Sequence, residues 1–139
     1  MSTNQEIMHE KLDRSETLPG ATYKIKPPAS DHAIYVTINN MMLNQGTDQE
    51  QLVPYEIFIN SKNIENYQWI FALTRVLSAT FRKGGEINFL INELKETFDP
   101  KGGYFKRGGI FMPSIVAELG YIIEKHMQSI GLNTDTNVK

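Results

Sequence analysis

Two periodicities follow one another along the chain, and their order constrains the fold more than any other feature. Between Thr22 and Ser61 apolar residues recur at every second position, in Tyr23-Lys24-Ile25-Lys26, then Ile34-Tyr35-Val36-Thr37-Ile38-Asn39, then Tyr55-Glu56-Ile57-Phe58-Ile59-Asn60. Side chains on a strand alternate between its two sides, so Ile34, Val36 and Ile38 share one face, as do Tyr55, Ile57 and Ile59. Thr37, Asn39, Glu56 and Asn60 fall opposite, the pattern of a sheet with one buried side. Pro27-Pro28 interrupts the first connection, and the polar run 44–51 makes the second a long one.

After Ser61 the period becomes 3.6. Asn63 is the expected N-cap and Glu65 a first-turn acid of a helix running from Tyr67 to Arg82, stopped by Gly84-Gly85. Trp69, Ile70, Leu73, Val76, Leu77 and Phe81 give it a wide apolar arc, which predicts a helix central to the core. A second helix carries Ile87, Leu90, Ile91, Leu94 and Phe98 and ends at Asp99-Pro100. A third starts with Pro113 at its first position, turns Ile115, Val116, Leu119, Ile122, Ile123, Met127 and Ile130 inward, and finishes at Gly131; Gly120 within it predicts a close approach. Strands first and helices afterwards predict an α+β domain, a small antiparallel sheet of about three strands with three helices on one face. The chain is expected to divide into a mobile N-terminal arm (1–20), in which Ile7, Met8 and Leu12 could dock, one domain (21–131) and a flexible tail (132–139).

Composition limits the function. With 139 residues, 40% of them hydrophobic, there is one core's worth of apolar side chains. Fourteen Lys and Arg against sixteen Asp and Glu give a net charge of -2, so nucleic acid is not the expected partner. No run approaches the ~20 apolar residues that span a bilayer, and the first twenty residues lack the apolar run of a signal peptide; a cytoplasmic location without membrane contact is expected. The cysteine count is zero, which removes disulfides, thiolate metal sites, cysteine nucleophiles and thiol redox steps from this chain's repertoire.

The most distinctive local stretch is 98–114, where Gly102-Gly103 and Gly108-Gly109 bracket Tyr104, Phe105, Lys106 and Arg107. Glycines let backbone amides converge on an anion, and Lys101, Lys106 and Arg107 add charge just ahead of a helix, so a phosphate is one reading. The stretch matches neither the phosphate-loop pattern nor the dinucleotide fingerprint, and two glycine turns around a short hairpin with solvated basic tips is the reading preferred here. Arg75, Arg82 and Lys83 form a second basic group, explained most simply by the helix dipole and a solvated face. His9, His32 and His126 have no metal-ligand spacing, and His126 is read as a satisfied histidine at the core's edge. Glu93 and Glu96 fall on a polar helix face, and Ser61, Ser78 and Ser114 have no nucleophile motif around them. With no catalytic constellation, a binding, regulatory or structural module is expected over an autonomous enzyme.

Several blocks resemble a known family: 22–26, 32–39, 54–62, 72–85, 93–103, Pro113-Ser114 and Glu118-Leu119-Gly120. They are similar to the TSCPD-type C-terminal accessory region of adenosylcobalamin-dependent (class II) ribonucleotide reductases, a domain that also occurs as short stand-alone proteins, as this chain does in that reading. The resemblance implies a role beside deoxyribonucleotide synthesis with a reductase large subunit as partner. Adenosylcobalamin is implied for that subunit only, and no cofactor is expected on this chain. The Thr-Ser-Cys-Pro-Asp motif that names the family is absent, and without cysteine neither the thiyl radical nor the reducing thiol pair is available, so no catalytic residue carries over. The leading expectation is therefore a non-catalytic accessory or orphan reductase domain. The alternatives are a nucleotide or phosphate sensor using Lys101, Lys106 and Arg107, and a protein or nucleic-acid adaptor, as a homodimer or otherwise, anchored by Tyr104 and Phe105.

Overall fold

The computed structural model describes residues 5–9, 11–62, 67–85 and 87–134. The elements run β1 (Gly20–Ile25), β2 (Ile34–Leu43), β3 (Gln51–Ser61), α1 (Tyr67–Lys83), α2 (Asn88–Lys95), β4 (Tyr104–Lys106), β5 (Ile110–Met112) and α3 (Ile115–Ser129). β1, β2 and β3 form an antiparallel sheet in that order, and β4 and β5 a separate two-stranded hairpin. The α+β class and the strands-then-helices order are as the periodicities predict. The expected N-cap Asn63 and first-turn Glu65 lie outside the described residues.

The core joins one face of the sheet (Ile25, Val36, Ile38, Ile57) to Leu77 and Phe81 of α1, to Ile87 and to Ile91 and Leu94 of α2, and to Leu119, Ile122, Ile123 and Met127 of α3. α1 lies against β3, α3 against β1 and β2, and α2 reaches the core alongside α3. Gly120 is the close approach anticipated for it: a Cβ there would stand 3.0 Å from Leu94 and Lys95. Beside that contact Lys95 pairs with Glu124 at 3.1 Å and lies 4.6 Å over the Tyr121 ring.

β3 is an edge strand, and α1 covers that edge. The Ser78 hydroxyl accepts from the Ile57 N–H at 3.0 Å and donates to the Ile57 carbonyl at 3.2 Å, so one buried side chain satisfies both polar groups that the edge would leave open at Ile57.

A bulge divides the sheet's faces. Asn39 pairs with Glu56 but Asn40 with Pro54, so Tyr55 is the extra residue on β3. The sequence places Tyr55 on the face of Ile57 and Ile59; the bulge instead turns it to the opposite face, into a second cluster with Met8, Met41 and Leu43, bordered by Leu12, Leu18 and Val53. Glu56 turns the same way and takes a bidentate pair from Arg14 (Nε to Oε1 and Nη2 to Oε2, both 2.9 Å) and a hydrogen bond from Asn39 at 2.7 Å. Arg14's hydrogen bonds, with its charge, hold the Glu56 carboxyl below its ordinary range against the opposing cost of burial. The segment expected as a mobile arm thus carries Met8, which is buried, and Leu12, while Ile7 is exposed. Gly84 sits so close to the Met8 carbonyl that no side chain fits between them. Of the expected tail, Leu132 packs on the core and Thr134 is buried, and 135–139 lie outside the described residues.

Five residues assigned to helices need correction. Trp69 and Val76 are exposed, because at 100° per residue they stand about 80–140° around the helix from Leu77 and Phe81, away from the side that α1 packs on β3. Phe98 is exposed, since α2 ends at Lys95 and the stripe ends with it. Ser114 is the N-cap of α3, its Oγ accepting from the Ala117 N–H at 2.9 Å, so Pro113 precedes the helix. Ile115 faces solvent at the helix's first position, ahead of the turn where Gly120 meets α2.

His126 lies inside the core and not at its edge. Its Nε2 meets Asn40 Oδ1 at 2.7 Å and its Nδ1 meets the Tyr23 hydroxyl at 2.7 Å, with the two rings edge to face. With Asn40 oriented to present its oxygen, Nε2 carries the proton and Nδ1 accepts from Tyr23, a neutral imidazole. Burial lowers its pKa from the ordinary 6.5.

Two outcomes follow from these contacts. Ser78→Ala should cost about 1–3 kcal/mol in urea unfolding, the cost of two buried backbone groups left unsatisfied, whereas Thr80→Ala, whose hydroxyl donates only to the Val76 carbonyl of its own helix, should change stability by less than about 0.5 kcal/mol. Because the unfolded chain protonates His126 more readily than the folded one, stability should fall as pH drops through the unfolded value near 6.5. The Tm measured between about pH 7.5 and 5.5 should decline, and that decline should shrink in His126→Gln, which cannot titrate.

Candidate functional site

The stretch 98–114 folds into the β4–β5 hairpin, carried by α3. At its base, Asp99 organises a turn: its carboxylate accepts from the Lys101 N–H at 2.9 Å and its carbonyl from Gly102 at 2.8 Å, while its own N–H donates to the Pro113 carbonyl at 3.0 Å. Ser114 adds a second tie, donating through Oγ to the Thr97 carbonyl at 2.6 Å. Gly103 leaves no room for a Cβ, which would stand 2.2 Å from the Met112 carbonyl and 2.8 Å from the Phe111 ring. At the tip, Gly109 N–H donates to the Lys106 carbonyl at 3.0 Å, and Gly108 and Gly109 both take positive φ angles that a side chain would resist.

The hairpin's two faces differ. Tyr104 and Met112 are a cross-strand pair turned toward the body, and Lys106 with Ile110 continue that face. Glu118, 4% exposed in the first turn of α3, receives both polar members: the Tyr104 hydroxyl donates to Oε1 at 2.5 Å and Lys106 Nζ lies 3.2 Å from Oε2. Burial, and then the Glu118 carboxylate, push the Tyr104 phenol far above its ordinary range, so it stays a neutral donor. A carboxylate near a helix N-terminus is also favoured by the dipole. On the outer face Phe105 and Phe111 pair across the strands, ring centroids 5.1 Å apart, yet remain 63% and 50% exposed. Ile110, on the other face near the tip, is exposed as well. The result is an aromatic pair held toward solvent on a hairpin pinned from beneath by one buried carboxylate.

The structure separates the two basic groups proposed from sequence. Lys101, Lys106 and Arg107 belong to the hairpin region beside α3, with Gly102, Gly103, Gly108 and Gly109 forming its turns; Arg75, Arg82 and Lys83 belong to α1, which lies on β3. Arg75 and Lys83 are exposed, and Arg82 is half-buried with its charge acting on Glu56. Around the hairpin, anion-binding groups have internal partners: Lys106 is paired to Glu118, the Lys101 and Gly102 amides to Asp99, and the Ala117 amide at the start of α3 to Ser114. The histidines stand apart. His9 Nδ1 accepts from the Lys11 N–H, His32 borders an open groove of about 360 Å³ with Tyr35, Asn60 and Lys62, and His126 lies in the core. Among the described residues no three His, Asp or Glu side chains gather as metal ligands would.

Residue-by-residue reading missed Glu118 as the anchor of this site. Its signal is present, a charged residue four positions before the inward Ile122 on an otherwise apolar helix stripe, a place where a carboxylate needs a partner. Nothing local in the sequence says that the partners are Tyr104 and Lys106.

The family model described as the TSCPD domain matches residues 9–127 of the chain. No curated protein and no solved structure matches it.

Glu118→Ala should loosen the hairpin selectively. In hydrogen exchange the amides of 104–112 should speed up at least tenfold, while those of β2 and β3 keep their rates; Glu118→Gln, which still accepts from Tyr104, should give a smaller acceleration.

Proposed function

The chain belongs to the TSCPD-domain family, a domain found with ribonucleotide reductases, and from that premise we propose that it is a non-catalytic accessory module that binds a reductase subunit. The carrying observation is the match over 9–127 in a chain with no cysteine. Reduction of a ribonucleotide through a thiyl radical and a thiol pair needs sulfur that this chain does not supply, so its contribution to deoxyribonucleotide synthesis is contact, and the radical cofactor and redox thiols belong to the partner.

The contact surface in this reading is the hairpin's outer face. Phe105 and Phe111 are large, rigid and already paired, so burying them against a partner removes apolar area from water at little cost in side-chain entropy. The turns and the Glu118 anchor order the hairpin before binding. The phosphate-sensing alternative draws on Lys101, Lys106 and Arg107, and it is the less supported reading because Lys106 and the nearby amides already have internal partners.

Purified protein mixed with the large subunit of a class II reductase from the same source should co-elute with it in size-exclusion chromatography. Phe105→Ala with Phe111→Ala should weaken that complex at least tenfold while leaving the Tm nearly unchanged, since both rings face solvent. Absence of a complex at ~0.1 mM of each protein, or equal binding by the double variant, would overturn the proposal.

A further inference from the structure

α1 is apolar over more of its surface than it buries. Leu77 and Phe81 face the core, and about 80–180° around the helix from them Trp69, Ala72, Val76 and Ala79 are all exposed, Trp69 at 69% and Val76 at 60%. A helix apolar all round is ordinarily buried all round, so this outer stripe is a surface in want of a neighbour. Its spacing describes that neighbour. Positions 69, 72, 76 and 79 alternate by three and four, the seam spacing of two helices packed side by side, and the residues alternate large and small (Trp, Ala, Val, Ala), which lets a second helix approach closely and seat its side chains. Continued to Lys83, the stripe runs about 21 Å, four helical turns.

Charge narrows the choice further. Tyr67–Lys83 contains Arg75, Arg82 and Lys83 and no Asp or Glu, a basic island in a chain whose net charge is -2. A second copy of the same face would bring like charges together. An anionic membrane would meet a protein of net negative charge, and Ala72 and Ala79 offer it little to insert. We propose that the outer face of α1 docks an acidic amphipathic helix of another polypeptide, its apolar stripe laid along Trp69, Ala72, Val76 and Ala79 and its carboxylates facing Arg75 beside that stripe and Lys83 at its end. This surface is carried by α1 and β3 and is separate from the hairpin, so it stands whether or not Phe105 and Phe111 bind a reductase.

Trp69 is the chain's one tryptophan and lies on the seam, so its fluorescence reports the site directly. The probe is a synthetic helical peptide of about three heptads, with Leu and Ala along the seam and Glu on both flanks, compared with the same peptide carrying Lys in place of Glu. The Glu peptide should shift Trp69 emission to the blue with saturation, the Lys peptide should not, and the shift should weaken with salt. Arg75→Glu with Lys83→Glu should reduce affinity at least tenfold, as should Val76→Glu; all three sites are exposed, and an unchanged Tm shows that each variant still folds. The Phe105→Ala, Phe111→Ala protein should bind the peptide as the parent does. The proposal is overturned if the Glu peptide leaves Trp69 unmoved at ~1 mM or if both peptides bind equally. It is equally overturned if only vesicles of anionic phospholipid shift the emission, or if the shift tracks self-association measured by sedimentation.

Discussion

Tyr55 is one residue more than β2 can pair, and much of the molecule is arranged around that surplus. Upstream of the bulge, β3 turns Val53 to the outer side of the sheet; Tyr55 and Glu56 follow it there, and Ile57 returns to the core. A strand without the bulge would have placed Tyr55 among the helices and left the far end of the sheet's outer face with nothing to build on. With it, that face acquires a second apolar cluster and a carboxylate, and the chain before Gly20 becomes their cover through Met8, Leu12, Leu18 and Arg14. The remaining outer face, around Tyr35 and Phe58, stays open to water.

α3 connects the sheet with the hairpin. Near its start Glu118 gathers Tyr104 and Lys106, and near its end His126 joins Tyr23 of β1 to Asn40 of β2. Both groups are almost wholly buried and each has two polar partners, the condition under which a buried polar side chain orients its neighbours instead of weakening the core. A three-residue-per-strand hairpin is marginal in water by itself. Tied to a helix that is fixed at its other end to the sheet, it can present an exposed aromatic pair in a defined position, which is what a docking surface without catalytic groups requires.

Much of this was readable in advance. Alternation at Ile34, Val36 and Ile38 announced β2, and the stripe Leu119, Ile122, Ile123, Met127 announced α3, because a half-buried strand and a half-buried helix each impose their own period on the sequence. The pairs of glycines around Tyr104 and Arg107 announced a turn-rich hairpin for an equally local reason, since positive φ is easily adopted only by glycine. Gly120 announced a close contact. In the candidate site the aromatic and basic residues were visible, but their division of labour was not: Lys106 looked like a free cation, whereas it is half of a pair with a carboxylate twelve residues later.

The chain by itself determined the α+β class, the order of its elements and the absence of thiol chemistry, since periodicity and composition are properties of residues and their near neighbours. Only the tertiary structure decided which apolar residues are inside and which charges are free. Trp69 and Leu77 belong to one helix and are both apolar, and what separates them is that Leu77 is on the side of α1 that packs on the core and β3 while Trp69 is turned away from it and exposed. Tyr55 changed faces because β2 and β3 are out of step by one residue, a fact about two strands that neither contains alone. Burial and pairing depend on distances between segments far apart in the chain, and a local pattern carries no record of those distances.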